Sequence, residues 1–422
     1  MVKGLKIRFE IHNILFSIYK FNKTLNNSLI KKQINKQKKE DIAFLYNVTL
    51  NSMRLHLHCL KIIDKFIKKK LRDQEKILLI SAITQIVFLN FKEYAVINCS
   101  VEIAKKLKLY PGLINATLKK ISKNKYDFKQ IKINFNDLPL WFQKKTSFMS
   151  DYEKNQFLEN FHKEPNIHIV FKDEEKLNRF DAKLFKTSMV SGFLLDEKNF
   201  QDRFSFINGD WWVQDFSSFL PLYNFKEINK NKVLLDACAA PGGKSFQILS
   251  KKLNLILNDK NKNRIKTLKS NLKRLKLSAP ILNEDFIQFN NKKKYDVIII
   301  DAPCSAVGTI RRNPEIFFKN KSPNFNKLLS LQENMLKKAS FLLNTNGFII
   351  YMTCSFLKIE TINQVEKFLK LNNNFMLSNF ELKENKKNYS KFIKNNFMIT
   401  IPNTIFDYNI DGYFAAFLKK IK

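Results

Sequence analysis

This chain has little cysteine and glycine, and about half as many acidic as basic residues. Five cysteines occur in 422 residues, and no two form a CxxC pair. That excludes a disulfide framework and the common redox motif, so reduced thiols are expected. Residues 5–110 contain neither glycine nor proline. The usual punctuation between elements is therefore missing there, which favours continuous helices. No long hydrophobic run is present. The longest apolar stretch, residues 77–89, is broken by Ser81, Thr84 and Gln85; it is too short and too polar to span a membrane. The opening Met1-Val2-Lys3-Gly4 has neither the apolar core nor the small-residue cleavage site of a secretory signal. No membrane partner is expected, and the expected location is the cytoplasm. Acids are outnumbered: 38 Asp and Glu face 74 Lys and Arg, for a formal net charge of +36 and a pI of about 9.8. Charge of this size favours a polyanion, whose binding gains from counterion release. Lysine and asparagine are abundant throughout, so the charge points to nucleic acid without saying which one.

What is present divides the chain in three. Residues 1–130 carry apolar positions at helical spacing, as in 11–19 and 41–67, and Pro111-Gly112 opens another helix over 113–121. A compact helical bundle is expected there. His56, His58 and Cys59 cluster on one of its helices with no fourth ligand nearby, so the expectation is two packed rings and a thiol, without a metal. Residues 131–205 read as a small connecting α/β module, with strand candidates at 166–171, 187–192 and 204–207. From 206 to 422 the pattern becomes apolar strands alternating with helices. Strands are expected at 232–235, 253–257, 280–282, 295–300 and 348–352, and helices at 244–251, 263–275 and 327–343. Such alternation predicts a doubly wound, Rossmann-like parallel sheet with helices on both faces, whose ligands gather at the carboxyl ends of the strands.

Every chemically interesting residue falls at one of those ends. The first strand runs into Asp236-Ala237-Cys238-Ala239-Ala240-Pro241-Gly242-Gly243-Lys244. The paired glycines let backbone approach a ligand, and a helix N-terminus follows with free amides. The turn has neither the GxGxxG of dinucleotide folds nor the first glycine of a phosphate loop, whose place Cys238 takes. Asp259 ends the second strand, close to the spacing at which such folds place an acid for ribose hydroxyls. Asp285 follows the third strand, where it can accept from an exocyclic amine. Together these acids favour an adenosine-type cofactor. The fourth strand delivers Asp301-Ala302-Pro303-Cys304, and the fifth delivers Thr353-Cys354-Ser355. Strands four and five are neighbours in the usual winding, so both thiols are expected in one cleft. A buried cysteine alone is usually a small hydrophobe; two at a cleft, flanked by Asp301, Thr353 and Ser355, read as reactive. A thiol that adds to a ring and is later expelled suits methylation of an unactivated pyrimidine carbon. Addition at C6 of cytosine makes C5 nucleophilic, which divides one hard step into easier ones. Asp301 can hydrogen-bond the base edge and favour the charge that develops there. The target must then leave its stack or lie in single-stranded RNA.

At these residues the chain resembles the Sun (Fmu) family of S-adenosylmethionine-dependent RNA cytosine-C5 methyltransferases. The matching blocks are DACAAPGGKS, NDKNKNRI, NLKRL, DAPCSAVGTIRRNPEI, YMTCS and DGYFAAFLKK, with GDWWVQDFSS leading into them. Residues 96–102 and 111–118 are similar to the NusB-like RNA-binding helical domain of one branch of that family. The resemblance implies that Cys238 through Lys244 contact S-adenosylmethionine, Asp259 its ribose and Asp285 its adenine, with Asp301 at the junction of cofactor and base. It implies Cys354 as nucleophile and Cys304 as the thiol that helps release product. The Pro-Cys turn of DNA cytosine methyltransferases would instead select Cys304 as nucleophile, and spacing alone does not choose. The NusB-like part implies small-subunit (16S) ribosomal RNA as partner. A tRNA substrate or a catalytically silent ribosome-assembly factor are the alternatives, and a monomer is expected. After DGYFAAFLKK, no room is expected for the extra C-terminal RNA-binding domain of another branch. No family block matches residues 380–400, which read as a polar, lysine-rich surface segment.

Overall fold

The computed structural model describes residues 4–25, 27–35, 37–195, 202–290, 293–382 and 387–422. The chain forms two compact units, one made of Met1–Ser150 with Ile310–Pro323, the other of Asp151–Thr309 with Asn324–Lys422.

The first unit is helical. Its principal helices are Leu5–Phe21, Ser28–Asn35, Lys39–Arg54, His56–Phe66, Asp73–Ile83, Glu93–Lys106 and Pro111–Lys123. Leu5–Phe21 buries Ile7, Ile11, Ile14, Leu15 and Ile18, one stripe of a helix of ordinary period. Asn22, with φ 53°, ends it in the left-handed region. Asp73–Ile83 is buried without a break from Ile77 to Ile83, so it forms the centre around which the others pack. It carries most of the long apolar stretch, and among the described residues no helix is long and apolar enough to cross a membrane. His56 and His58 pack edge-on against Phe318 and Phe88, while the Cys59 thiol lies 3.4 Å from Thr84 Oγ1. Ile310–Pro323 belongs to this unit although it follows the 301–309 turn in sequence. Its Phe318 sits in the helical core, and Arg54 donates to the Arg311 carbonyl at 3.2 Å.

The second unit holds two sheets. The smaller contains β1 (His168–Phe171), β2 (Leu184–Ser188), β3 (Ser191–Leu194) and β4 (Trp211–Val213), in the order β2-β3-β1-β4 and antiparallel throughout. Residues 204–207, expected as a strand, form a short helix instead. A four-residue segment with three apolar positions does not distinguish strand from helix by period, and here Arg274 holds the segment: it donates to the Phe206 carbonyl at 2.7 Å and its guanidinium covers the Phe206 ring.

The larger sheet begins with β5 (Leu234–Asp236), β6 (Leu255–Asn258), β7 (Ile281–Leu282), β8 (Tyr295–Asp301) and β9 (Leu343–Thr353). These five pair in parallel in the order β9-β8-β5-β6-β7. Their side chains alternate between two cores: Val297 and Ile299 enter one, Ile298 and Ile300 the other, as a sheet covered on both faces requires. The chain winds outward from β5 in both directions, so the switch point lies between β5 and β8. The sheet is not wholly parallel, however. After β10 (Phe375–Leu377), β11 (Ile393–Lys394) and β12 (Phe397–Thr400) comes a small hairpin, β13 (Asn403–Ile405) with β14 (Tyr408–Ile410), and then β15 (Tyr413–Lys420), which pairs antiparallel with β9, β12 and β10. The segment expected as polar surface contributes to this edge. Tyr389, Phe392, Phe397 and Met398 are buried between its exposed lysines and asparagines, a sparse apolar pattern that a local average of polarity conceals.

Candidate active site

The switch point places Asp236 and Asp301 at the carboxyl ends of adjacent strands, with Asp236 opposite Ile299 in the β5–β8 register. Asp236 is fully buried and accepts from Ser245 Oγ at 2.6 Å and from the Cys238 amide at 3.3 Å. It thereby ties the turn after β5 to the helix Gly243–Leu249. The turn contains a cis Ala240–Pro241 bond and then Gly242 at φ 117°. A Cβ at Gly242 would run into the Phe246 ring and Leu268, so glycine is required both by conformation and by close approach. Ala239 donates its amide to Asn258 O at 2.8 Å, and Ala240 donates to Asp259 Oδ2 at 3.3 Å. The turn is thus laced to the end of β6, and Gly243 and Lys244 begin the helix beyond it.

Burial pushes the Asp236 carboxyl up to about 6 from an ordinary 3.8. A folded value above the unfolded one means that its stabilising contribution is whole below about pH 3.8 and is lost as pH rises through about 6. About two units correspond to about 3 kcal/mol. The stability of Asp236→Asn relative to wild type should therefore improve by roughly that amount between pH 4 and pH 7. Urea unfolding at a series of pH values checks this; parallel stability curves would mean that Asp236 holds the same proton in both states.

Asp259 is buried and Asp285 more exposed. Asp259 accepts from the Asn261 amide at 2.9 Å and pairs with Arg264 at 3.4 Å. Asp285 accepts from the Ile287 amide at 3.2 Å. Both line one cleft, with Cys238, Phe286, Ile287 and Pro303 among its other walls. Carboxylates on one side and apolar side chains on the other suit a nucleoside, whose hydroxyls donate and whose ring needs a flat apolar surface. The Cys238 thiol is pushed up first by burial and then by the carboxylates of Asp236, Asp301 and Asp259. It therefore stays protonated and serves as a small packing group.

The β8–β9 register sets Asp301 beside Met352, and the Ala302 amide donates to Met352 O at 2.8 Å. The two cysteine turns are consequently adjacent, and Cys304 Sγ lies 3.3 Å from Cys354 Sγ. Both are free thiols of intermediate exposure. The hydrogen bond with Cys354 and burial hold the Cys304 thiol well above its ordinary value. Gly308 closes the arrangement: its amide donates to Cys354 O at 3.0 Å and its carbonyl accepts from Gly412 at 2.8 Å. A Cβ on Gly308 would strike the Gly412 carbonyl. Asp301 accepts from Lys244 Nζ at 2.7 Å and from Tyr413 OH at 2.9 Å, so the helix that follows the turn after β5, β8 and β15 converge on one carboxylate.

Two residues at the site escape a reading of the sequence. Tyr413 lies within the DGYFAAFLKK block, but nothing local marks its hydroxyl as a partner of Asp301. Glu360 is fully buried behind the cysteine turns. Its carboxylate accepts from the Ser305 amide at 2.8 Å, Ser305 Oγ at 2.5 Å, Ser355 Oγ at 2.7 Å and Gln332 Nε2 at 3.3 Å. The sequence signal is an acid close after a cysteine turn, following the mostly apolar run Phe356-Leu357-Lys358-Ile359.

With the geometry in place, comparison with known proteins is informative. Residues 224–419 match the family described as 16S rRNA methyltransferase RsmB/F, and residues 6–123 match the NusB family. Ribosomal RNA small subunit methyltransferase B of Vibrio vulnificus is 26% identical over 389 residues, covering 86% of this chain and 91% of that protein. The 25S rRNA (cytosine-C(5))-methyltransferase nop2 of Schizosaccharomyces pombe is 32% identical over 230 residues, 51% of this chain and 38% of that one. Among solved structures, the fold is similar to that of PH0851, with a TM-score of 0.71 at 20% identity, covering 100% of this chain and 99% of that one.

Proposed function

We propose that this chain, whose residues 224–419 match the RsmB/F methyltransferase family and whose residues 6–123 match the NusB family, methylates C5 of one cytosine in small-subunit ribosomal RNA through a covalent cysteine–C6 adduct. S-adenosylmethionine is the methyl donor; bound, it supplies a methyl group on a positively charged sulfur. The residues that fit it are those of the 238–244 turn, where glycine clears the approach, together with Asp259 for ribose hydroxyls and Asp285 for the adenine amine.

The observation that carries the reading is the pair of thiols 3.3 Å apart at the carboxyl ends of two neighbouring strands. A protein or nitrogen methylase has no use for a second thiol. Cys354 attacks C6 of the flipped or unpaired cytosine, and the electron pair displaced from the C5–C6 bond makes C5 nucleophilic. Asp301, held by Lys244 and Tyr413, faces the base edge, where it accepts from the cytosine amino group and favours uptake of a proton at N3 as the thiolate adds, which neutralises the charge developing on the ring. After methylation a solvent base takes the C5 proton, the electron pair of that C–H bond re-forms the C5–C6 double bond, and Cys354 leaves C6 with the C–S electron pair. Cys304, the thiol kept protonated, donates to the departing sulfur. The net charge of +36 supports RNA as partner, and the NusB-family domain favours ribosomal RNA over tRNA.

Bisulfite sequencing of total RNA from cells with and without the protein tests the reading. The expected result is loss of protection at one cytosine of small-subunit ribosomal RNA. Loss in tRNA would keep the mechanism and replace the substrate; no change anywhere would favour a silent assembly factor.

A further inference from the structure

Burying a carboxylate is unfavourable unless donors replace the water it leaves. Glu360 shows no exposure, and what replaces water around it is informative. Ser305 follows Cys304 directly, and Ser355 follows Cys354 directly. Glu360 accepts from the amide and hydroxyl of the first and from the hydroxyl of the second. Gln332 donates to Glu360 at 3.3 Å and to the Pro303 carbonyl at 3.0 Å, on the other side of Cys304. The Glu360 carbonyl in turn accepts from Tyr351 OH at 2.8 Å, which fixes it to the strand that delivers Cys354. One carboxylate therefore binds both cysteine turns, through bonds of the strong, charge-assisted kind.

We propose that Glu360 is a positioning residue for the methyl-transfer reaction: it holds the turns bearing Cys304 and Cys354 at the separation that lets one thiol attack and the other assist release. The proposal rests on the covalent reading given above. Glu360 touches neither thiol and is not itself a catalytic residue. Its effect is on geometry, and displacements of about an ångström at reacting groups can cost about a hundredfold in rate. A glutamine at 360 keeps the volume but offers one oxygen where two are used, and it sets an amide NH₂ against a serine hydroxyl.

The test compares wild type and Glu360→Gln on RNA containing 5-fluorocytosine, which traps the adduct because the C5 position carries no removable proton. Wild type should form a heat-stable protein–RNA band. Glu360→Gln should form it about a hundredfold more slowly, with KM for RNA and for S-adenosylmethionine within about twofold of wild type. Should that variant fail to fold, the pair Ser305→Ala and Ser355→Ala, each removing one donor, should lower the adduct rate singly and combine less than additively. An unaltered adduct rate overturns the positioning role. So does a rate loss matched by lost cofactor binding, which would make Glu360 a general structural support. No band with wild type would overturn the covalent reading itself and the proposal with it.

Discussion

Cys354→Ala should abolish methyl transfer and leave no covalent RNA adduct. Without a thiol at C6, C5 of cytosine has no electron pair to offer. Binding and orientation alone then remain, so the loss should be on the order of 10⁴-fold or more. The structure gives this variant a clean background. Cys354 is linked to its surroundings by backbone as well as side chain: its carbonyl accepts from Gly308, and the turn is further held by Ser355 through Glu360. Alanine removes the sulfur and keeps those bonds, so S-adenosylmethionine affinity and melting temperature should stay near wild type. Transfer of a labelled methyl group to ribosomal RNA, with denaturing gels for the adduct, checks it. Adduct formation by Cys354→Ala would assign the attack to Cys304, the choice suggested by the Pro-Cys turn of DNA enzymes.

How much of this was legible beforehand depends on the distance over which each feature is encoded. The strands read at 295–300 and 348–352 and the turns after them are local: an apolar run followed by a small or cyclic residue states its own end, whereas the polar start of β9 at 343–347 is set by its pairing with β8. Their adjacency followed from the winding rule alone, and it brought Cys304 to Cys354. The antiparallel edge was not legible, because β15 pairs with β9 across some sixty residues and no local pattern announces a partner. The buried aromatics at 389–398 were hidden for a related reason: the lysines and asparagines between them dominate any window average. Residues 204–207 were misread because Arg274, distant in sequence, decides their conformation. Glu360 was missed because a buried carboxylate is defined by its donors, and these come from three separate segments. The site's reactive groups are thus written locally, while the groups that aim them are written in the tertiary structure.

Cys304→Ala should give the opposite phenotype to Cys354→Ala: the adduct forms and persists. In the proposed mechanism attack on C6 needs only Cys354, so the first turnover should proceed. Release is the step that changes. When the C5 proton leaves and the C5–C6 bond re-forms, the sulfur of Cys354 departs with its electron pair, and a nearby donor lowers the cost of that charge. Cys304 is placed for this, 3.3 Å away, with its thiol kept protonated by the hydrogen bond to Cys354 and by burial. Alanine leaves the departing thiolate without that donor in a partly buried cleft. Loss of one such hydrogen bond to a developing charge costs about 10²–10³-fold in rate. A rapid-quench experiment with ordinary RNA should then show a burst of about one methyl per enzyme followed by slow turnover, and a gel should show a heat-stable band that wild type lacks. Raising the pH should not rescue release, because the missing element is a donor and more base does not replace it. A Cys304→Ala enzyme that turns over at the wild-type rate would remove the second thiol from the mechanism and leave the 3.3 Å contact as packing alone.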